Sequence, residues 1–322
     1  MSGASQPISS SRPPPGVSII IPAYNYARFL PSAVESCLRQ DYPNFEIVVI
    51  DDGSKDNTRE VMAKYGPPVR YVHQTNAGLS AARNTGIREA RFDYVAFLDA
   101  DDLLLPTHLS DSMAAFAKLP SEYSLVACDD HLMDVDEHPL PFTVHVPVLP
   151  REITLMDILM RTRFSPTGVV AQKEVFALCG GFDTTLRSTE DRDMWIRIAA
   201  QRRIWHQGKV LVRIRKHGNN MSNNADRMKS NMAAVLKKSY DAEVVPKAKV
   251  WFWLQVFSYW RFQTSLIYNG LGQPARAYRD LFISLCLWPC FPNPAASGNP
   301  LLFRLRALVR FTLNALRGEV KA

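Results

Sequence analysis

The sequence predicts an α/β fold: a mostly parallel sheet with flanking helices, followed by a helical C-terminal appendage. Three observations carry this. Apolar runs at residues 17–21, 45–50 and 95–98 are uninterrupted, as in strands buried on both faces. Segments of helical period alternate with these runs, the pattern of βαβ units. Two of the runs end abruptly in carboxylates, Asp51-Asp52 and Asp99-Ala100-Asp101-Asp102. Unpaired acids do not enter an apolar core, so they belong at the strands' C-terminal ends, where open α/β sheets bind ligands.

Residues 1–16 are rich in Ser and Pro, have no apolar core for a signal peptide, and read as a disordered leader. The strand at 17–21 is closed by Pro22-Ala23-Tyr24-Asn25. A helix follows Pro31, with Ala33, Val34, Cys37 and Leu38 at helical spacing. The strand at 45–50 runs into Asp51-Asp52-Gly53-Ser54. Asp56 and Asn57 offer caps for a helix over 58–65. A short strand at 69–73, turn chemistry at Asn76-Ala77-Gly78 and a helix over 79–90 lead to the acid-ended strand at 94–98. Asp99 and Asp101 flank one residue, so a tight turn could aim both at one hard cation. The same residues also suit an acidic turn before a helix capped by Asp102 or Thr107.

The 322 residues suffice for one large domain, or one domain with an appendage. Net charge is +7, and it is uneven. Residues 246–322 carry ten Lys or Arg against Asp280 and Glu319, a net +8, so the rest is near neutral. A near-neutral sheet argues against a nucleic-acid binder, which places basic stripes on its folded face. The basic tail suits an anionic membrane surface, with a solvated helix face as the other reading. Five scattered cysteines resemble small core residues of a reducing compartment. The longest apolar stretch, 281–291, falls short of the roughly 20 residues that a spanning helix needs. The expected location is cytoplasmic, peripheral at the inner face of the membrane.

The tail has two notable segments. Trp251, Phe252, Trp253, Phe257, Tyr259, Trp260 and Phe262 crowd one helical stretch. Residues 301–317 are amphipathic, with Leu302, Leu305, Val309, Leu313 and Leu316 on one side and Arg306, Arg310 and Arg317 on another. Both suit helices in a lipid interface beside a lipid-linked acceptor. Packing on the catalytic domain, or a dimer, is the competing expectation.

Taken in order, Val-Ser-Ile-Ile-Ile-Pro-Ala-Tyr-Asn, Asp-Asp-Gly-Ser, Asn-Ala-Gly-Leu-Ser-Ala-Ala-Arg-Asn-Thr-Gly and Leu-Asp-Ala-Asp-Asp resemble the nucleotide-sugar domain of family 2 glycosyltransferases. Gly180-Gly181-Phe182-Asp183 and Glu190-Asp191 before Trp195 extend the likeness to about residue 222. The resemblance implies a GT-A, Rossmann-like fold. It also implies an inverting enzyme that moves a sugar from a nucleotide-sugar, a UDP-sugar first, to a hydroxyl in cell-surface polysaccharide or glycolipid synthesis.

It implies roles as well. Pro22, Ala23 and Tyr24 would border the base, Asp52 would accept from the uracil N–H, and Asp51 would support it. Asn76 and Gly78 would line the far side, with Arg83 reaching the diphosphate. Asp99, Ala100 and Asp101 would form the donor's acidic turn. Asp99 and Asp101, with His217, would hold Mn²⁺ or Mg²⁺. Asp191 would be the catalytic base and Glu190 its support or an acceptor contact. The implied organisation is a leader over 1–16 and a transferase domain over 17–225. That domain has a nucleotide-sugar half, 17–105, and an acceptor half, 106–225; residues 226–322 form a helical basic-aromatic region.

Partners are then the nucleotide-sugar, a glycan or lipid-linked acceptor and an inner-leaflet surface through residues 246–322, with no nucleic acid. A nucleotidyltransferase would share the acids and the metal. It typically carries a Gly-rich basic loop after the first strand, and residues 22–26 are not one. His131, His138 and His145 lack metal-like spacing and fall where the acceptor pocket is expected.

Overall fold

The computed structural model describes residues 14–140, 149–162, 164–218, 224–288 and 303–317. Strands β1 (Val17–Ala23), β2 (Phe45–Asp51), β3 (Val69–His73) and β4 (Tyr94–Phe97) run parallel in the order β3-β2-β1-β4. They are joined by α1 (Leu30–Leu38), α2 (Thr58–Met62) and α3 (Leu79–Glu89). Ile19 and Ile21 share one core with Leu30 and Val34 of α1, while Ile20 joins Ala82 and Ile87 of α3 in another. Helices on both faces explain why these strands read as unbroken apolar runs.

Beyond β4 the pairing becomes mixed. The remaining strands are β5 (Leu103–Leu104), β6 (Tyr123–Met133), β7 (Arg151–Ile153), β8 (Val169–Gln172) and β9 (Arg203–Arg215). They continue the sheet as β8-β6-β9-β5, with β7 on β9. β8 is antiparallel to β4 and β6, whereas β6 and β9 are parallel. The cause is local. A 3-10 turn at Pro166–Gly168 meets the acidic end of β4, where the Asp99 N–H donates to Thr167 Oγ1, so β8 starts at that rim and runs away from it. The parallel pattern therefore holds across the first four strands, the ones with buried-strand signatures. Helices α4 (His108–Phe116), α5 (Leu155–Met160), α6 (Glu174–Cys179) and α7 (Glu190–Ala199) cover this half.

One close approach fixes α3 on the sheet. A Cβ at Gly86 would sit 2.2 Å from Ile20 Cγ2, closer than carbons pack. Gly86→Ala therefore pushes α3 off β1. It should lower stability by about 1–3 kcal/mol in urea melts. An unchanged midpoint would mean that the helix is not seated this tightly.

The C-terminal helices are α8 (Ala225–Asp241), α9 (Val250–Gly270), α10 (Pro274–Leu287) and α11 (Phe303–Arg317). The aromatic crowd of α9 is mostly interior, which corrects its assignment to a lipid interface. Trp253, Tyr259 and Phe262 belong to the same core as Phe164, Phe182 and Trp195. Burial next to the sheet domain gives these rings an apolar environment without lipid, and Trp251 alone of the seven is largely exposed. Asp280 of α10, fully buried, receives bonds from Lys229 of α8 and Thr264 and Arg261 of α9, which pins three helices together. Among the described residues no helix is long and apolar enough to cross a membrane.

Residues 1–13 of the expected leader, His145, Cys290 and Leu302 lie outside the described residues. The last leader residues are tied down. Asn44 Nδ2 donates to the Pro14 carbonyl, Tyr42 Oη to that of Pro15, and Gly16 abuts the Phe92 ring.

Candidate active site

The C-terminal ends of β1, β2 and β4 form one rim, and the chain's acids gather along it. Pro22 and Ala23 belong to β1 and are buried, so they are not the loop expected there; only Tyr24 is open. Pro22 is tolerated in a central strand because the β1–β4 ladder ends at Ile20–Phe97, leaving no rung for its missing N–H.

Asp51 and Asp52, at the end of β2, serve mainly their own chain. Asp51 Oδ1 caps the turn by accepting from the Ser54 N–H, and Oδ2 accepts from Tyr71 Oη. Asp51 thus fixes the turn that follows β2 and ties it to β3. Asp52 Oδ1 accepts from Gln74 Nε2 and the Ala77 N–H, and Oδ2 from the Gly78 N–H. An ionised carboxylate offers about four acceptor positions. Three are filled, so Asp52 first of all holds the 76–78 loop at the start of α3. Asn76 Nδ2 closes the loop on the Asp52 carbonyl. Gly78, at φ 90°, is the N-cap of α3 in a conformation that suits glycine, and the space where its Cβ would lie is open.

Arg83, in the second turn of α3, departs furthest from expectation. Its side chain is 1% exposed and does not extend toward the rim's open space. Nη2 donates to Asp99 Oδ1 at 2.7 Å and Nη1 to Glu190 Oε1 at 2.5 Å. Burial works against its charge, but Asp99 and Glu190 outweigh burial and hold the proton more firmly than in free Arg. Arg83 is therefore an internal bridge between the β4 turn and α7.

The turn after β4 is held from below. Asp102 is buried and accepts from Thr167 Oγ1 and from the Arg215 N–H. Burial, then the charges of Asp101 and Asp99, push its carboxyl well above the ordinary range. Arg215 Nε donates to the Asp101 carbonyl. Ala100 is buried in the turn. Asp101 Oδ2 lies 2.8 Å from His217 Nε2, just past the end of β9. Burial and the Asp99 charge raise the Asp101 carboxyl, and His217 opposes them.

Asp101 and His217 thus lie side by side, while Asp99 has turned one oxygen to Arg83. Among the described residues no three His, Cys, Asp or Glu side chains form a ready metal site. A carboxylate and an imidazole side by side, with a second carboxylate close enough to raise the first, do fit a divalent cation that takes its remaining ligands from phosphate oxygens.

Tyr26, Phe29, Thr167 and Arg215 were not singled out from the sequence. The His217 ring stacks on Phe29 at 5.4 Å and tilts against Tyr26 at 6.0 Å. Burial, then Asp101, Asp99 and Asp102, push the Tyr26 hydroxyl up to about 12, so it stays protonated beside the acids. Its position just after the β1 run was the available signal.

Helix α7 begins at Glu190, so both acids lie in its first turn, where the helix dipole favours carboxylates. Glu190 is buried against Arg83, while Asp191 is partly exposed. Burial and the Glu190 charge push Asp191 up to about 6, with Arg83 pulling the other way. The residue before them, Thr189, has φ 60°, which is rare for a β-branched side chain and marks a strained entry to the helix. Trp195 is fully buried between Phe164 and Phe182, a core residue.

A cavity of about 890 Å³ opens at the other end of β4, lined among others by Asn84, Arg88, Asp93, Lys173 and Gly181. It contains neither the β4 turn nor the α7 acids, so the grouped acids rather than this hollow mark the site.

The glycosyl transferase family 2 model matches residues 18–178. An uncharacterized glycosyltransferase of Rickettsia typhi is 32% identical over 214 residues, 66% of this chain and 67% of that protein. Chondroitin synthase of Pasteurella multocida is 30% identical over 235 residues, 72% of this chain but 24% of its own length. Among solved structures, S. aureus TarS 1–349 with UDP-GlcNAc has a TM-score of 0.56 at 17% identity, over 90% of this chain and 92% of that one. Mannosyltransferase PcManGT of Pyrobaculum calidifontis with GDP-Man and Mn²⁺ has a TM-score of 0.61 at 19% identity, over 94% and 81%. At these identities the two structures share the fold with this chain.

Proposed function

Since this chain belongs to glycosyl transferase family 2 and is on that ground a glycosyltransferase, we propose a single-displacement transfer with inversion, from a UDP-sugar to an acceptor hydroxyl, with Asp191 as base. The observation that carries this reading is the Arg83 bridge. It joins Asp99, at the end of β4, to Glu190, whose neighbour Asp191 is the partly exposed carboxylate. Donor-side and base-side acids are thereby held at one rim.

The base of the donor lies against Tyr24 and the 76–78 loop, with the last acceptor position of Asp52 facing the uracil N–H. The diphosphate lies toward Asp99 and Asp101. Asp101 and His217, with the second oxygen of Asp99, would hold Mn²⁺ in preference to Mg²⁺, because imidazole is a poor ligand for Mg²⁺. When bound, the ion supplies Lewis-acid neutralisation of the departing diphosphate. The acceptor oxygen attacks the anomeric carbon, its proton passes to an Asp191 oxygen, and the carbon–phosphate oxygen bond breaks with its electron pair leaving on UDP. The Glu190 charge adds to burial in raising the Asp191 carboxyl and so makes it a stronger base. A UDP donor and a metal are supported by neighbours in fold solved with UDP-GlcNAc and with GDP-Man and Mn²⁺. The acceptor we assign is a growing glycan or lipid-linked sugar of the cell surface, met at the inner leaflet.

Thermal shift tests the donor site. UDP with Mn²⁺ at about 100 times Kd should add about 2.7 kcal/mol to the wild type and far less to Asp101→Ala. Equal stabilisation of both proteins would place the donor away from the β4 turn. A screen of donor hydrolysis across UDP-, GDP- and TDP-sugars then identifies the sugar.

A further inference from the structure

Helix α11 is turned the wrong way for a helix that only completes a core. An amphipathic helix normally buries its apolar stripe. Here the inward face is Arg304, Ala307 and Phe311, all buried. Arg304 is accommodated by donating to Ser258 Oγ of α9 and to the Trp288 carbonyl after α10, so a charge is held inside while apolar residues stay out. Leu305, Val309 and Leu313, four residues apart along one side, are 50%, 59% and 43% exposed. Arg306 and Arg310 stand exposed beside them. The Trp251 ring, at the start of α9 and 69% exposed, packs 5.6 Å from the ring of Trp288, whose carbonyl takes the bond from Arg304.

We propose that this open ridge of α11, with Trp251 at its end, is a docking surface for an anionic lipid bilayer. Leucine and valine side chains flanked by arginines, with a tryptophan at the margin, match the layered polarity of an interface. The charge agrees. Among the described residues from 246 onward the only acid is Asp280, and it is buried and paired with Lys229 and Arg261. A second copy of the chain fits this face less well. A symmetric pairing through the same ridge sets like patches against each other, bringing Arg306 and Arg310 against their counterparts.

The face gains its biological meaning from a transferase that works on membrane-carried acceptors, but its test needs no donor, acceptor or turnover. The full chain is sedimented with phosphatidylcholine vesicles, with and without phosphatidylglycerol. Wild-type protein should bind the anionic vesicles at least about tenfold more strongly, and L305Q/V309Q/L313Q should lose at least about tenfold of that binding. R306Q/R310Q should lose the part that salt weakens. All five residues are exposed, so melting temperature and donor hydrolysis should be unchanged in both variants. Undiminished binding by the triple variant would overturn the assignment, as would equal wild-type binding to both vesicle types. A wild-type dimer in light scattering that the triple variant abolishes, without vesicle binding, would give the face to a second copy instead. Loss of donor hydrolysis by the wild type would bear on the transferase mechanism and leave the docking result standing.

Discussion

Asp191→Asn should keep the nucleotide-dependent thermal shift while lowering turnover by about 10²- to 10⁴-fold, the usual contribution of a positioned general base. The amide has nearly the shape of the carboxylate, so the first turn of α7 and its contacts stay in place. What it cannot do is take a proton from the acceptor hydroxyl. Near-normal turnover in this variant would show that the base is elsewhere, and loss of the thermal shift would show that Asp191 touches the donor.

The pH profile gives the same residue a second test. Burial, then the Glu190 charge, raise Asp191 from 3.8 to about 6. A base works only when deprotonated, so kcat/KM should fall about tenfold per pH unit as pH drops below about 6. An unperturbed carboxylate would hold its rate down to about pH 4. Glu190→Gln removes the repulsion and leaves Arg83 free to stabilise ionised Asp191, so the acid limb should move to lower pH. An acid limb that stays fixed in Glu190→Gln would remove Glu190 from the tuning of the base.

The sequence shows where acids must lie but not which way their side chains turn. Apolar runs ending in Asp51-Asp52 and Asp99-Ala100-Asp101-Asp102 put carboxylates on the sheet rim because no core admits them unpaired. The expected approach of His217 to Asp101 came from family likeness, since 116 residues separate the two. The Arg83 bridge was not legible for a related reason. Its partner Glu190 lies 107 residues away, and no local periodicity reports such a contact. The rings of α9 carry the same lesson. An aromatic-rich helix in a basic segment reads alike whether it meets lipid or protein, and only packing beside Phe164 and Trp195 decides. In α11 the amphipathic pattern was legible, while the choice of face turned inward depended on a bond between Arg304 and Ser258, 46 residues away.

Replacing Arg83 should have the largest effect on stability and activity together. Arg83→Met leaves Glu190 and Asp99 facing each other without the cation between them, and breaking a buried pair from one side typically costs about 3–5 kcal/mol. Arg83→Lys should recover only part of this, since an ammonium is a single point charge and cannot fork to both acids as the guanidinium does. The double variant Arg83→Met with Glu190→Met separates folding from chemistry. Replacing both members with apolar side chains of similar volume removes the uncompensated Glu190 charge, so most of the stability should return in urea melts. Turnover should not return in full, because Asp99 has lost its fixed partner and Asp191 the Glu190 charge that adds to burial in raising it. If Arg83→Met melts and turns over like the wild type, the bridge does not carry the site. If the double variant regains both stability and turnover, Arg83 and Glu190 only support each other, and the link from the β4 turn to the base lies along another path.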